Sequence, residues 1–346
     1  MCGIPLSSLT CFFESIPVTF QHSFDFEFEV RGLSGSANSL AQITSSSGSK
    51  DLTLTVTVVI CTKNRSAHLR ECLSAVARLE PMPNEVLVVY NTSGNHETKT
   101  LALEFGVRYV VEPVPGLSRA RNRGLAECDT EIVAFLDDDA IPAPDWLGIL
   151  VSGFSDSQTA ATTGRVVTPG SNSDNGQTAS PRAITKANRR WFEIATFGGL
   201  GIGLNMAVRR SACQGWIVFD ERLGRGAPFH IGEETYAFAG LILRGHKAVY
   251  TPAAVVFHPV HQRDSVEIEA RNSFAYWLLL FFAFPSERMS LLSFISRRLR
   301  KRPLEWPRAS QEPGEIVTSS FSTLLKAGWQ GLWLFLRTPK DWNTRK

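Results

Sequence analysis

The sequence predicts an α/β fold in which a mostly parallel sheet carries helices on both faces. Short β-branched runs alternate with segments of helical periodicity between residues 54 and 136. The runs are apolar without alternation, which is typical of strands buried between two layers of helices. Each run ends in a polar loop, and in a parallel sheet such loops meet at the carboxyl edge, where ligands bind.

The first half of the chain gives a regular succession of elements. The run 55–60 is β-branched and stops at the polar segment Cys61–Arg65, which predicts a strand followed by a loop. Apolar residues at helical spacing predict the next helix, which the prolines at 81 and 83 end. The predicted strands are 55–60, 85–90, 107–111 and 132–136, and the helices between them are 68–79, 98–105 and 117–127.

The second half is less regular. Strands are predicted at 162–168, 204–208, 248–250 and 255–257, with a loop over 169–181. A helix begins at Gly232 and ends at Arg244, because Gly245 is a favourable C-terminal cap. The predicted domains are a poorly ordered N-terminal extension and linker (1–52), an α/β domain (53–265) and a helical, basic and aromatic extension (266–346).

Composition excludes some classes of protein. The chain has 346 residues, 43% of them hydrophobic, and a net charge of +3. It therefore lacks the bulk positive charge of a nucleic-acid-binding protein, and no nucleic-acid partner is expected. Six scattered cysteines form no C-x-x-C pair and favour a reducing compartment. The N-terminus does not match a signal peptide, so we expect a cytoplasmic location.

Two segments of the C-terminal part bear on membrane contact. The apolar run 274–285 is shorter than the roughly 20 residues of a spanning helix. It predicts a buried helix, with an interfacial segment as the alternative. The basic run Arg297–Arg302 is interpreted either as a solvated charge run or as a peripheral contact with anionic lipid at the cytoplasmic face of a membrane.

Three consecutive carboxylates follow the fourth predicted strand. Asp137, Asp138 and Asp139 repel one another unless they are solvated or neutralised. Mg²⁺ or Mn²⁺ takes carboxylate oxygens and keeps other positions for water and phosphate. An exposed acidic turn or helix cap is the alternative, but the position at the carboxyl end of a strand favours a cation site.

The order of several motifs resembles an inverting family 2 glycosyltransferase with the GT-A fold. The resemblance runs from about Thr55 to Gln262 and leaves out both ends of the chain. Each motif alone is weak, and it is their order and spacing that carry the resemblance. The motifs are 58–65, 116–124, 137–139, 142–147, 203–210, 219–226 and 232–234.

The resemblance implies a nucleotide-diphosphate sugar donor, with a UDP-sugar favoured, and a divalent cation, Mn²⁺ or Mg²⁺. Asp139 matches a metal ligand, and Asp137 and Asp138 match contacts to metal or ribose. A histidine late in the domain completes the metal site in such enzymes; His258 is favoured over His261 because it directly ends a strand. The alternative for either histidine is a polar structural role. The implied donor-binding residues are Thr62, Asn64, Arg65, Asn91, Arg121, Asn122, Asp137 and Asp138.

Glu233 and Glu234 match the acidic pair in which the second residue removes the proton from the acceptor hydroxyl. Glutamate replaces the usual aspartate at 234, and carboxylates stabilising a helix N-terminus are the alternative. Direct displacement by the acceptor implies inversion without a glycosyl-enzyme intermediate. The acceptor is a glycan, a lipid-linked compound or a small molecule, and its side of the site is assigned to Asn205, Arg209 and Asp220.

Tyr90 departs from the family pattern. It stands where an acid usually reads the nucleobase, so either Asn91 substitutes, Tyr90 stacks on the base, or donor binding is altered. This leaves a non-catalytic sugar-nucleotide or glycan-binding protein as an alternative. A nucleotidyltransferase is a third hypothesis, although the loop after the first strand lacks the glycines that it would need.

Overall fold

The computed structural model describes residues 54–93, 96–168, 180–259, 264–301 and 321–338. The predicted N-terminal extension and most of the loop 169–181 lie outside these ranges. So do His261 and, in the predicted C-terminal extension, residues 302–320 and 339–346, which include Arg302 of the basic run. The predictions made for those residues stay predictions.

Nine strands within the described residues form one sheet. They are β1 Val56–Thr62, β2 Glu85–Tyr90, β3 Arg108–Val111, β4 Ile132–Asp137, β5 Ile141–Pro142, β6 Thr159–Val167, β7 Arg182–Ile184, β8 Asn205–Arg209 and β9 Lys247–Phe257. The order is β3-β2-β1-β4-β8-β6-β9-β5, and β7 pairs with β9. The half β3-β2-β1-β4 is entirely parallel, as predicted. Beyond β4 the sheet is mixed, because β8 runs antiparallel to both β4 and β6.

The helices flank this sheet. They are α1 Ser66–Val76, α2 His96–Glu104, α3 Leu117–Glu127, α4 Trp146–Ser152, α5 Trp191–Thr196, α6 Glu233–Leu243, α7 Val266–Ala283, α8 Arg288–Lys301 and α9 Phe321–Arg337. The predicted bounds of β2 and α3 are confirmed, and the other elements of the first half are shifted by a few residues at their ends.

The strands are buried on both faces. Val59 packs in one apolar core and its neighbours Val58 and Ile60 in a second core on the other side of the sheet; none of the three is exposed. Successive residues of a strand point to opposite faces. A strand with helices on both sides must therefore be apolar throughout, which explains the unbroken β-branched run.

The two short strands predicted at 248–250 and 255–257 are one strand, β9. Pro252 lies between the two predicted segments and cannot donate a hydrogen bond to a ladder. The register against β6 moves from Gly164–Thr251 to Arg165–Val255, so the residues between form an irregularity without ladder partners. Proline is tolerated at such a bulge, and the prediction of two strands was wrong.

Most of the apolar run 274–285 lies in α7, and the interpretation as a buried helix is confirmed for most of its residues, with Phe282 as an exposed exception. Tyr276, Leu279 and Leu280 belong to the same core as the sheet. The Tyr276 hydroxyl lies 2.7 Å from Thr235 Oγ1 of α6, so α7 is joined to the α/β domain. Within the described residues, no single helix has the length and apolarity to cross a bilayer; by those two criteria only, α7 and α8 would do so as a pair bent by 110°.

Candidate active site at the carboxyl edge of the parallel strands

The carboxyl ends of β1, β2 and β4 lie side by side. Thr62 pairs with Tyr90, and Cys61 pairs with Asp137, so the three following loops start at one edge of the sheet. The sequence prediction that the polar loops converge is therefore confirmed. The acidic triplet begins at the last residue of β4.

Asp138 is buried and held from β1 and the loop after it. Thr62 Oγ1 donates a hydrogen bond to Asp138 Oδ2 at 2.7 Å, and Arg65 Nη1 donates to Asp138 Oδ1 at 3.2 Å. Burial raises the pKa of Asp138, and the charge of Asp139 adds to this; the hydrogen bond from Thr62 and the Arg65 cation oppose it. The loop thus supplies the polar partners that a buried carboxylate requires.

Asp139 lies between two basic groups. Its Oδ2 accepts a hydrogen bond from Arg65 Nη1 at 2.7 Å, and its Oδ1 lies 3.0 Å from His258 Nε2. His258 directly follows β9, and its backbone N–H donates to the carbonyl of Val167. This bond continues the pairing between β6 and β9 and brings the histidine to the acidic triplet from a distant part of the chain.

One ligand atom from each of Asp137, Asp139 and His258 lies within 4.8 Å of the other two. Ligands on opposite sides of one Mn²⁺ or Mg²⁺ ion are about 4.2 Å apart, so these three side chains fit an ion after a small adjustment. Two carboxylate oxygens and an imidazole nitrogen are suitable donors for Mn²⁺. The predicted metal set is therefore brought together, and Asp137, whose side chain is 32% exposed, is its most open member.

A buried guanidinium connects the acidic triplet to the glutamate pair. Arg121 of α3 is only 2% exposed; its Nη1 donates to Glu233 Oε1 at 2.8 Å and its Nη2 to Asp137 Oδ1 at 3.4 Å. Burial alone would lower the pKa of Arg121, but the carboxylates of Glu233 and Asp137 outweigh it and raise that pKa. The triplet and the pair, separated by almost a hundred residues, thus share one cation.

The neighbouring arginines of α3 point elsewhere, as helical geometry predicts. Arg119 forms an ion pair with Glu221 at 2.6 Å, and Arg123 pairs with Glu127. Residues 119 and 123 share a face of the helix, whereas 121 faces the sheet edge. Arg121 is therefore separated from the other two.

Glu233 and Glu234 are the first two residues of α6. The preceding residue, Gly232, has φ of 86°, and a Cβ there would lie 2.6 Å from the Tyr276 ring, so glycine is required on both counts. Burial raises the pKa of Glu234 to about 8, the charge of Glu233 adds to the shift, and Arg121 opposes it. Glu233 is the member of the pair that contacts the Arg121 guanidinium.

A cavity of about 250 Å³ opens beside the triplet. It is lined by residues of the loops after β1 and β2, of the start of α3, and of the loop before α6. The sequence prediction named five of them, and did not name Lys63, Gly116 or Arg225. Arg225 is brought there because its carbonyl accepts a hydrogen bond from Leu117 N–H, a contact that local sequence does not reveal. The predicted members are Thr62, Arg65, Asn91, Asp137 and Asp138.

Tyr90 is not available to a ligand. It is 1% exposed, its ring stacks on Tyr109, and its hydroxyl donates to Asn64 Oδ1 at 2.6 Å. The alternative in which Tyr90 stacks on a base is therefore wrong. Asn91 does line the cavity, but its amide group bonds to the carbonyl of Val114 and to Gly116 N–H, so it connects β2 to the start of α3.

Several predicted site residues form hydrogen bonds within the protein instead of facing the cleft. Asn122 donates to the carbonyl of Phe219 at 2.7 Å and accepts from its N–H, which argues against a donor contact. Asn205 is fully buried and accepts a hydrogen bond from Trp146 Nε1 at 2.8 Å. It also donates to two backbone carbonyls, so it joins β6, β8 and β9 and does not face an acceptor.

Arg209 and Asp220, the other two residues assigned to the acceptor side, also have structural roles. Arg209 pairs with Ile132 at the opposite end of β4 and donates to the carbonyls of Phe154 and Thr159. Asp220 is fully buried and pairs with Arg222 at 2.6 Å. Antiparallel pairing carries Arg209 away from the carboxyl edge, and neither side chain can reach the cleft.

The comparisons with known proteins agree with this geometry. The family described as Glycosyl transferase family 2 matches residues 57–217. The match covers the central part of the chain, from β1 to the segment after β8. The glycosyltransferase AglE of Haloferax volcanii is 30% identical over 183 residues, which are 51% of this chain and 59% of AglE. A pre-mycofactocin glycosyltransferase of Mycobacterium tuberculosis is 28% identical over 226 residues, 63% of this chain and 45% of that protein.

The chain spans about half the length of these two relatives. Among solved structures, S. aureus TarS 1-349 in complex with UDP-GlcNAc superimposes with a TM-score of 0.53 at 17% identity. The superposition covers 72% of this chain and 74% of the TarS 1-349 chain. It supports the GT-A fold.

Proposed function

We propose that this protein is an inverting glycosyltransferase that moves a sugar from a nucleotide-diphosphate donor to an acceptor hydroxyl, with Glu234 as the general base. The observation that carries the proposal is the position of Arg121, which contacts Asp137 on the donor side and Glu233 on the base side. A guanidinium between them offsets the charge of both carboxylates at one cleft, where donor and acceptor have to meet.

The donor would lie in the cavity at the carboxyl edge of the strands. Asp137, Asp139 and His258 would hold a divalent cation, which when bound neutralises charge on the departing nucleotide diphosphate. Arg65 reaches the cavity with its side chain 40% exposed and is placed to contact phosphate oxygens. TarS has been crystallised with UDP-GlcNAc, so uridine donors are the first to test.

In the proposed step, the acceptor oxygen attacks the anomeric carbon as the bond from that carbon to the donor phosphate breaks. The hydroxyl proton goes to Glu234, and the nucleotide diphosphate leaves with the electron pair of the broken bond. The raised pKa of Glu234 suits this role, because a base with a pKa near 8 accepts a proton more readily than an ordinary carboxylate. We infer a glycan, a lipid-linked compound or a small molecule as acceptor, and a cytoplasmic location.

The test combines binding with turnover. Purified protein is screened by thermal shift with UDP-, GDP-, TDP- and CMP-sugars, with and without Mn²⁺, since a ligand of the native state raises the unfolding midpoint. We expect a rise that needs both a nucleotide sugar and Mn²⁺. Release of nucleotide from the sugar that binds is then measured for the wild type and for Glu234→Gln.

Glu234→Gln should reduce release by roughly 10²- to 10⁴-fold while donor binding is kept. The control is Glu71→Gln, the same chemical change at an exposed position of α1. Donor binding without release by the wild type, tested with a range of acceptors, would favour a non-catalytic binding protein. Unchanged release by Glu234→Gln would reject Glu234 as the base.

A further inference from the structure

Helix α9 presents an apolar stripe to solvent. Leu325, Trp329, Trp333 and Leu336 are 52%, 72%, 54% and 67% exposed, respectively. Their spacing of four, four and three residues places them on one face of the helix. Isolated exposed apolar residues are ordinary on a protein surface, whereas a row of this kind marks a site of interaction.

The opposite face of α9 is held against α7. A Cβ at Gly331 would lie 2.6 Å from the carbonyl oxygen of Arg271, so glycine allows the two helices to approach closely, and Ala327 beside it is fully buried. The orientation of the helix is therefore fixed by packing, and the stripe faces outward because the other side is occupied.

The apolar surface continues onto α7. Phe282 is 58% exposed and stacks on Phe335 of α9, with ring centroids 5.5 Å apart. Two helices thus contribute to one surface, which we call the α9 face: Phe282, Leu325, Trp329, Trp333 and Leu336.

The charged side chains that α9 itself carries beside the α9 face, Lys326 and Arg337, are both basic. Neither α8 nor α9 contains an aspartate or a glutamate. The Arg337 guanidinium lies 3.4 Å from the centroid of the Trp333 ring, at the edge of the stripe. On the other side of Trp329, Lys326 is 65% exposed and contacts Glu267 of α7 at 3.0 Å.

This combination fits a membrane surface better than a protein partner. Tryptophan is favoured at the boundary between acyl chains and headgroups, and basic side chains extend from that depth to anionic headgroups. The stripe from Leu325 to Leu336 is about 17 Å long, which suits a helix lying in the plane of the interface.

We propose that the α9 face is a docking surface for an anionic lipid bilayer, with Trp329 and Trp333 inserted at headgroup depth. This proposal is independent of the proposed transfer reaction. It also locates the membrane contact on α9, whereas the sequence had suggested the basic run at the end of α8.

The test is co-flotation of the full chain with vesicles of phosphatidylcholine alone or mixed with phosphatidylglycerol. We expect the wild type to float with the anionic vesicles and to be released by high salt. Trp329→Ser combined with Trp333→Ser should lower the partition coefficient by a factor of ten or more, since burial of one large apolar side chain is worth roughly tenfold. Both residues are exposed, so the fold should be kept.

The matched control is Leu103→Ser on α2, where the side chain is 68% exposed. It should float as the wild type does. Flotation of the double tryptophan variant at the wild-type level would overturn the proposal. A dimer of the wild type that the double variant turns into a monomer, seen by light scattering without any flotation, would overturn it in favour of self-association.

Discussion

Replacing Glu234 by glutamine should stabilise the protein in alkaline solution at the same time as it removes activity. The carboxyl group of Glu234 lies among Glu233, Arg121 and Asp137, and burial raises its pKa from 4.5 to about 8. Folding therefore disfavours the ionised form that the proposed reaction requires. Glutamine has nearly the same shape and cannot ionise, so it removes this cost.

The sign follows from proton uptake. Between pH 4.5 and about 8 the folded state keeps a proton on Glu234 that the unfolded chain has released, so this residue makes folding less favourable as pH rises. The free energy of unfolding falls by about 1.4 kcal/mol for each pH unit between the pKa of the unfolded chain and that of the folded protein. Because Glu234 keeps partial contact with solvent, we expect about 2–4 kcal/mol in favour of Glu234→Gln above pH 8, and almost no difference below pH 4.5.

The assay is urea unfolding of both proteins at pH 5, 7 and 9, in chelator so that no cation occupies the carboxylates. Glu71→Gln serves as the control, and its effect should not depend on pH. A stability difference of equal size at all three pH values would refute the reasoning, because it could not come from the titration of Glu234. In the wild type, nucleotide release should rise with pH up to about 8, as Glu234 ionises.

Three further variants probe the cleft. Arg121→Met should lower the free energy of unfolding in urea by about 3–5 kcal/mol, because it leaves Glu233 buried without its cation. Adding Glu233→Gln should restore part of this loss. A loss below about 1 kcal/mol would contradict a stabilising contact between Arg121 and Glu233. Asp139→Asn should remove the Mn²⁺-dependent part of the thermal shift with the donor, and a shift equal to that of the wild type would show that Asp139 is not a ligand. Arg65→Met should strengthen Mn²⁺ binding to the free protein by about tenfold in calorimetry, since Arg65 is the cation that contacts Asp138 and Asp139; weaker binding would show that Arg65 assists the ion.

The elements of the first half of the chain could be predicted because their signals are local. An unbroken β-branched run such as 55–60 can only be a buried strand, and the period of the apolar residues in 68–79 can only be a helix face. Alternation of the two then implies parallel pairing, so the convergence of the acidic triplet with Thr62 and Arg65 was predictable as well. The second half gave weaker signals, and the irregularity in β9 was interpreted as a break.

The partners of the polar side chains could not be predicted in the same way. Asn205, Arg209 and Asp220 were assigned to the acceptor because they belong to matching motifs, yet each is used to hold the protein together. A polar residue in a motif satisfies its hydrogen bonds with whatever the fold brings near it. Tyr90 is likewise buried against Tyr109 because the fold brings the two rings together.

The amino-acid sequence by itself determined the strand and helix succession of the first half, the resemblance to family 2 glycosyltransferases and the edge of the sheet at which the acidic triplet lies, since each depends on local pattern or on the order of motifs. Only the tertiary structure decided that Arg121 lies between Asp137 and Glu233, and that α9 turns its tryptophans outward. Those facts depend on contacts between residues far apart in the chain. Their geometry is set by packing, and no local periodicity encodes it.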